Sequence, residues 1–278
     1  MEEYKIEDLA NIIIQIKQEN PDLYLMIEEE NDEIKQNTKI NNNDCRYIAD
    51  GKLFQEYLKH DNFCDKNYVY FISTLINSFY STRMGADRLY ATAMMLVENG
   101  KDIEKILKQE QPLSDEQLDM IKNISNKKLC LRKTEGEGHQ FKSYSFTTKF
   151  LAIHSKYRKG GGYISLFPIY DGQVQLVIKK YKLNKIEILK KFIEKFNFSN
   201  SKEWLTFNQY CKDNKIKTIN LDNYIQFYKL MNILSASTRL NLSQIDRFFW
   251  KLGDKLGDKI KKEKEKEKEE KRKSKSVA

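Results

Sequence analysis

Apolar residues recur at helical spacing along most of this 278-residue chain, and only three prolines interrupt the pattern. Near the N-terminus, Ile6, Leu9, Ile13 and Ile16 fall on one helical face. The same spacing predicts helices in several later segments, which are 67–100, 103–109, 114–124, 143–156 and most of 172–256. Alternation of apolar and polar residues, which is typical of half-buried strands, is rare. The sequence therefore predicts a mainly α fold.

Composition divides the chain into three parts. Residues 1–65 form an N-terminal extension of helical and irregular segments, with a short helix expected over 52–60 and a polar loop over 31–50. Residues 66–256 contain the long apolar segments and are expected to form the helical core. Residues 257–278 carry almost no apolar side chain, so we expect them to be disordered or to form a frayed, solvated helix.

Local sequence signals predict where helices begin and end within the core. The segment 67–100 is too apolar for a surface element, and it predicts two buried helices with a break near Ser78–Gly85 and an end at Gly100. Ser114 and Gln117 have the spacing of a capping box, which predicts a helix start there. The glycine-rich RKGGG at 158–162 predicts a flexible gap between two helices.

Charge and composition limit the classes of function. Lys and Arg exceed Asp and Glu by nine, which favours a polyanionic partner such as nucleic acid, although codon bias can give the same excess and much of it lies in the tail. The four cysteines and three histidines are widely spaced, so no local metal motif is present and no cofactor is predicted. The acidic start is unlike a signal peptide and no apolar run reaches membrane length, so we expect a soluble intracellular protein with no membrane partner.

Lys149 is unusual because it falls on an apolar helical face. Phe146, Phe150 and Ile153 share that face with it. A buried lysine is costly unless it is paired, and an amine held neutral away from water is a nucleophile. The alternative is snorkelling, in which the stem is buried and the ammonium reaches water. Periodicity alone favours snorkelling.

Asp171 follows the apolar segment Phe-Pro-Ile-Tyr and precedes a predicted helix. That position favours an N-cap that accepts hydrogen bonds from backbone N–H groups near Val174. A carboxylate held at a helix start is also well oriented, so it could activate a nucleophile or stabilise a developing cation. The two roles are compatible.

SFTTKFLAIH (145–154) followed by FPIYDGQV (167–174) resembles the helix-hairpin-helix DNA glycosylases, in particular their 8-oxoguanine glycosylase-like branch. In that family a lysine after Gly-Thr attacks the sugar C1′, and an aspartate about twenty residues later assists it. Thr148-Lys149 and Pro168–Asp171 match these elements, with a separation of 22 residues. The hairpin glycines differ, because Gly136 and Gly138 lie well upstream of the lysine.

The resemblance extends over roughly 66–256 and implies two helical subdomains with a cleft between them, without a recognisable N-terminal β domain. Residues 70–96 resemble the early buried helix and the turn that fills the gap left by a flipped base, and 242–255 resemble the helix that closes over the base. The resemblance therefore implies three groups of DNA-contacting residues. They are the gap fillers Phe79, Tyr80 and Arg83, the hairpin substitutes Lys142, Ser143 and Ser145, and the base-stacking aromatics Phe248, Phe249 and Trp250. An aromatic triplet on a helix is also common in protein cores.

The function implied is excision of a damaged or modified base by base flipping. Lys149 would be the nucleophile, forming a Schiff base that permits strand cleavage as an AP lyase, and Asp171 would assist. The partner would be double-stranded DNA and the protein a monomer, located in the cytoplasm with the nucleoid of a bacterium or in a eukaryotic nucleus. Oxidised guanine is the family's usual substrate, and a modified base in foreign DNA, removed as a phage defence, is equally compatible. Two other classes stay open, a non-catalytic DNA-binding protein on this scaffold and a helical adaptor that binds no nucleic acid.

Overall fold

The computed structural model describes residues 5–19, 58, 62–79, 84–108, 113–130, 140–157 and 167–276. This part of the chain is mainly helical, as predicted. The helices are α1 (Ile6–Glu19), α2 (Lys66–Phe79), α3 (Ala86–Glu98), α4 (Gly100–Leu107), α5 (Asp115–Asn126), α6 (Tyr144–Tyr157), α7 (Gly172–Lys180), α8 (Ile186–Lys195), α9 (Lys202–Asp213), α10 (Tyr224–Thr238) and α11 (Leu242–Ser276). Between α5 and α6, the strands β1 (Lys128–Cys130) and β2 (Gln140–Lys142) pair antiparallel, with Lys128 opposite Lys142.

The predicted break in the apolar segment 67–100 is confirmed, because α2 ends at Phe79 and α3 begins at Ala86. The predicted end of the second helix at Gly100 is wrong. Gly100 is the first residue of α4, and α3 ends at Glu98. A Cβ at position 100 would lie 2.4 Å from the backbone oxygen of Phe63. Gly100 therefore permits a close approach of two backbones and does not act as a helix C-cap.

The capping box at the start of α5 is confirmed. The Ser114 hydroxyl accepts from the Gln117 N–H at 3.3 Å, and the Gln117 side chain accepts from the Ser114 N–H at 2.7 Å. Two of the orphan donors at this helix start are thereby satisfied.

Helix α6 lies in the core, in contact with α2, α4 and α5. Its apolar residues Phe146, Phe150, Leu151 and Ile153 are buried. The N-terminal extension also contributes, because Leu9 of α1 is buried and α1 packs on α8. Residues 146–155 of α6 are all buried, which places Lys149 in the interior of the protein.

Helices α7 and α11 pack closely against each other. Gly253 of α11 is the point of closest approach among the described glycines of this helix, since a Cβ there would lie 2.3 Å from the backbone oxygen of Gln173. This packing fixes the first turn of α7, which Asp171 precedes.

The charged tail continues α11 without interruption to Ser276, across the boundary expected at residue 257. Leu256 is buried, whereas every residue from 261 to 270 is exposed. Of the two states expected for the tail, the structure has the solvated helix. No helix in the described ranges combines the length and apolarity needed to span a membrane. The predicted loop over 31–50, the short helix over 52–60 apart from Leu58, and the gap at 158–162 lie outside the described residues.

Candidate active site

The structure brings Lys149 and Asp171 together. The Lys149 Nζ lies 2.8 Å from the Asp171 Oδ2, with the two side chains 8% and 14% exposed. The snorkelling alternative for Lys149 is wrong, because its ammonium ends on a carboxylate inside the protein. The buried face of α6 supplies the lysine, and the start of α7 supplies its partner.

Asp171 uses its two carboxylate oxygens for different contacts. Its Oδ1 accepts from the Gln173 N–H at 2.9 Å, so Asp171 is the N-cap of α7 as predicted. The donor is one residue earlier than the expected Val174. With Oδ1 held by the helix start, Oδ2 is aimed at Lys149. The cap therefore orients the carboxylate that faces the amine.

The short segment that leads to Asp171 is fixed from two helices. The Tyr170 N–H donates to the Thr148 Oγ1 at 3.0 Å, which ties the segment to α6 beside Lys149. The Ile169 N–H donates to the Asp246 Oδ2 at 2.8 Å, which ties it to α11. Two consecutive backbone N–H groups of the segment are thus satisfied by side chains.

Asp246 is a second acid next to the Lys149–Asp171 pair, and it is not among the site residues predicted from the sequence. It is 5% exposed, and burial raises its pKa well above the ordinary value. The hydrogen bond from Ile169 acts in the opposite direction, and the charge of Asp171 raises the pKa further. A signal was available in the sequence, because Asp246 lies on the apolar stripe that contains Leu242 and Phe249.

A cluster of tyrosines lies beside the segment. Tyr144, at the start of α6, stacks on Tyr170 with ring centroids 3.9 Å apart, and Tyr224 of α10 meets Tyr144 edge-on at 5.9 Å. The Tyr170 hydroxyl donates to Asp222. Burial raises the pKa of all three phenols, so they are neutral hydrogen-bonding groups at physiological pH.

The aromatic triplet expected to line a base pocket is divided between the core and the surface. Phe249 is fully buried and packs in the apolar core, and its role in a base pocket stays a prediction. Phe248 is partly buried with its ring 5.7 Å from that of Phe249, and Trp250 is 42% exposed. The cause is helical geometry, which turns three consecutive residues to three different directions.

The expected hairpin substitutes are similarly divided. Lys142 is exposed at the end of β2, where its Nζ lies 3.5 Å from the Asn126 Oδ1. Ser143 is 4% exposed and its hydroxyl lies 3.2 Å from that of Thr147, and its contact with DNA stays a prediction. Ser145 is half-buried. Tyr80, Arg83 and the side chain of Phe79 lie outside the described residues.

The contact between Lys149 and Asp171 permits acid–base and nucleophilic chemistry. An ammonium and a carboxylate in contact can exchange one proton, which leaves a neutral amine and a carboxylic acid. The amine is then a nucleophile, and the same carboxylate, once ionised again, can stabilise a neighbouring cation. In the described parts of the chain, no three His, Cys, Asp or Glu side chains group as a metal site.

Comparison of the chain with protein-family models, with curated proteins and with solved structures gives no match.

Proposed function

We propose that the chain is a DNA glycosylase that excises a damaged or modified base, with Lys149 as nucleophile and Asp171 assisting. The observation that carries the proposal is the 2.8 Å contact between the Lys149 Nζ and the Asp171 Oδ2 in a nearly buried site. A buried ion pair is weak evidence for stability, because its desolvation offsets most of its attraction. A catalytic role accounts for both partners, since a nucleophilic amine needs a base to take its proton.

The reaction begins with transfer of a proton from the Lys149 ammonium to Asp171. The neutral amine attacks C1′ of the flipped nucleotide, the bond between C1′ and the base breaks, and the base leaves with the electron pair and takes up the proton that Asp171 had received. Asp171, ionised again, stabilises the positive charge that develops on the sugar. Ring opening gives a Schiff base between Lys149 and C1′, from which β-elimination breaks the strand. Lyase activity is therefore part of the proposal.

Charge supports DNA as the partner. Residues 257–278 contain ten Lys or Arg against six Asp or Glu, which accounts for four of the nine excess positive charges. The rest of the chain keeps an excess of five, so the basic character is not confined to the tail. Basic surface attracts the phosphate backbone independently of sequence.

Borohydride trapping tests the proposal. The protein is mixed with duplexes that carry 8-oxoguanine, uracil, an abasic site or modified cytosines, and reduction fixes any Schiff base as a covalent band. We expect a band for the wild type and none for Lys149→Gln. Lys101→Gln is the matched control, because Lys101 is an exposed lysine of α4 away from the pair. Asp171→Asn keeps a helix-capping side chain but removes the base, so it should slow trapping about 100-fold or more.

Each outcome separates the candidate functions. A band that survives Lys149→Gln refutes Lys149 as the nucleophile. Absence of a band on every duplex, with salt-dependent DNA binding intact, favours a non-catalytic DNA-binding protein on this scaffold or a glycosylase that uses water alone, with Asp171 as its essential residue. The displacement of Gly136 and Gly138 from the family's hairpin position favours that second candidate. Absence of DNA binding would leave the helical adaptor.

A further inference from the structure

The two carboxylate oxygens of Asp246 have different surroundings. Its Oδ2 accepts from the Ile169 N–H at 2.8 Å, two residues before Asp171. Its Oδ1 is buried and has no hydrogen-bond partner among the described residues. A carboxylate oxygen without a donor is costly to bury, whereas a protonated oxygen can itself donate.

The charges around Asp246 can be counted by element. Asp171 at the start of α7 and Tyr224 of α10 interact with it electrostatically, and Lys149 of α6 pairs with Asp171. Arg247, its neighbour on α11, is exposed. Among these groups the Lys149 ammonium is the one cation in the interior, and it is paired with Asp171. If both acids were ionised, one negative charge would be left uncompensated in the interior.

We infer that Asp246 is a positioning residue of the Lys149–Asp171 site, which holds the segment before Asp171 against α11 as a neutral acid and leaves Asp171 as the one negative charge opposite Lys149. Burial, which raises the pKa of Asp246, supports this protonation state. The Tyr224 hydroxyl is also buried and without a hydrogen-bond partner among the described residues, and it interacts electrostatically with Asp246. The catalytic meaning of the inference rests on the proposed function, but the protonation state does not.

The neutral state has a consequence for the amine. An ionised Asp246 would add a second negative charge beside Asp171, and this charge would stabilise the Lys149 ammonium against loss of its proton. It would also repel Asp171 from its place at the start of α7. A neutral Asp246 keeps the backbone hydrogen bond without either effect.

Three variants separate the roles of shape and charge. Asp246→Asn keeps the size and the acceptor for the Ile169 N–H but carries no charge at any pH. Asp246→Ala removes the acceptor. Asp254→Asn is the matched control, because Asp254 is an exposed acid on the same helix.

The first measurement is urea unfolding of the wild type and Asp246→Asn from pH 4 to pH 9. The folded-state pKa of Asp246 is raised, so its contribution to stability is complete below its unfolded pKa of about 4 and is lost as the pH rises through the folded value. Within that window, the unfolding equilibrium constant of the wild type should rise about tenfold per pH unit relative to Asp246→Asn. A ratio that does not change with pH would mean that Asp246 is ionised in the folded protein, which overturns the inference. Asp254→Asn controls for the loss of one carboxylate from an exposed position of the same helix.

The second measurement is the rate of Schiff-base trapping against pH. Asp246→Asn should match the wild type while Asp246 is protonated and should not slow, as the wild type should, when the pH rises through the folded pKa of Asp246, whereas Asp246→Ala should be about 100-fold slower at every pH because Asp171 is displaced. Asp246→Asn as slow as Asp246→Ala at pH 7 would overturn the positioning role. Failure of the wild type to trap at all would refute the proposed function, and the unfolding comparison would still decide the protonation state.

Discussion

Alanine at Gly253 tests how closely α7 is held against α11, and alanine at Gly257, one turn later, is the matched control. A Cβ at position 253 would lie 2.3 Å from the backbone oxygen of Gln173 and 2.7 Å from its carbonyl carbon. A Cβ at position 257 would lie 3.7 Å from the Gln173 Oε1, which is an ordinary contact with a flexible side chain. The two positions share one helix and one neighbouring residue, and they differ in the space available.

The expected magnitudes follow from two opposing effects. Alanine is preferred over glycine within a helix by about 1 kcal/mol, and both variants gain this. Only Gly253→Ala also forces two backbones apart, and overpacking of this kind costs about 1–3 kcal/mol. We therefore expect Gly257→Ala to raise the free energy of unfolding by about 1 kcal/mol. Gly253→Ala should fall below Gly257→Ala by about 1–3 kcal/mol.

Urea unfolding followed by far-ultraviolet circular dichroism measures both values, with an unchanged slope expected for each variant. A second consequence concerns the site. The Gln173 N–H holds the Asp171 Oδ1 at 2.9 Å, so a displaced Gln173 backbone should also slow trapping in Gly253→Ala and leave Gly257→Ala unaffected. Equal stabilisation by the two alanines would refute the close approach of α7 and α11 on which the position of Asp171 depends.

Three further predictions concern stability and reactivity. Lys149→Met leaves the Asp171 charge without its ion-pair partner and should lower the free energy of unfolding by about 3–5 kcal/mol, measured by urea unfolding. Adding Asp171→Asn, which removes that charge and keeps the cap, should recover most of the loss. If the double variant showed the simple sum of the two single effects, the two side chains would not interact directly. Ser114→Ala should lower the free energy of unfolding by about 0.5–2 kcal/mol through loss of the capping box, without a change in trapping rate. A slower trapping rate would contradict a purely local role for Ser114. Iodoacetamide at pH 7 should modify the exposed Cys64 and spare Cys211, because burial raises the pKa of the Cys211 thiol to about 11. Peptide mass spectrometry measures the modification of each thiol, and similar rates for both would show that Cys211 is reached by solvent.

The buried pair also explains why the first turn of α7 is so firmly anchored. Asp171 can serve the helix and Lys149 together only if the backbone before it is fixed, and this is what Thr148 and Asp246 do through Tyr170 and Ile169. A side chain placed by several independent hydrogen bonds loses little further freedom during a reaction. This anchoring is the structural basis of the proposed chemistry.

Sequence alone determined the local features of this protein. Helical periodicity determined its mainly α character, and the position of Lys149 on the apolar face of α6 was visible in the same pattern. The N-cap at Asp171 and the capping box at Ser114 followed from residue type and spacing. These features were predictable because helix formation and capping depend on residues within about one turn of each other.

Which of these residues meet in the folded protein depends on how the helices pack. Periodicity favoured a lysine that reaches water, and the tertiary fold instead places the Asp171 carboxylate, at the start of α7, 2.8 Å from the Lys149 Nζ. Asp246 could have been noticed as an acid on an apolar stripe, but its contact with Ile169 crosses 77 residues of chain and depends on the packing of α7 against α11. The same packing placed Phe249 in the core and left Trp250 exposed. Contacts of this range are set by how whole helices fit together, and no local pattern carries that information.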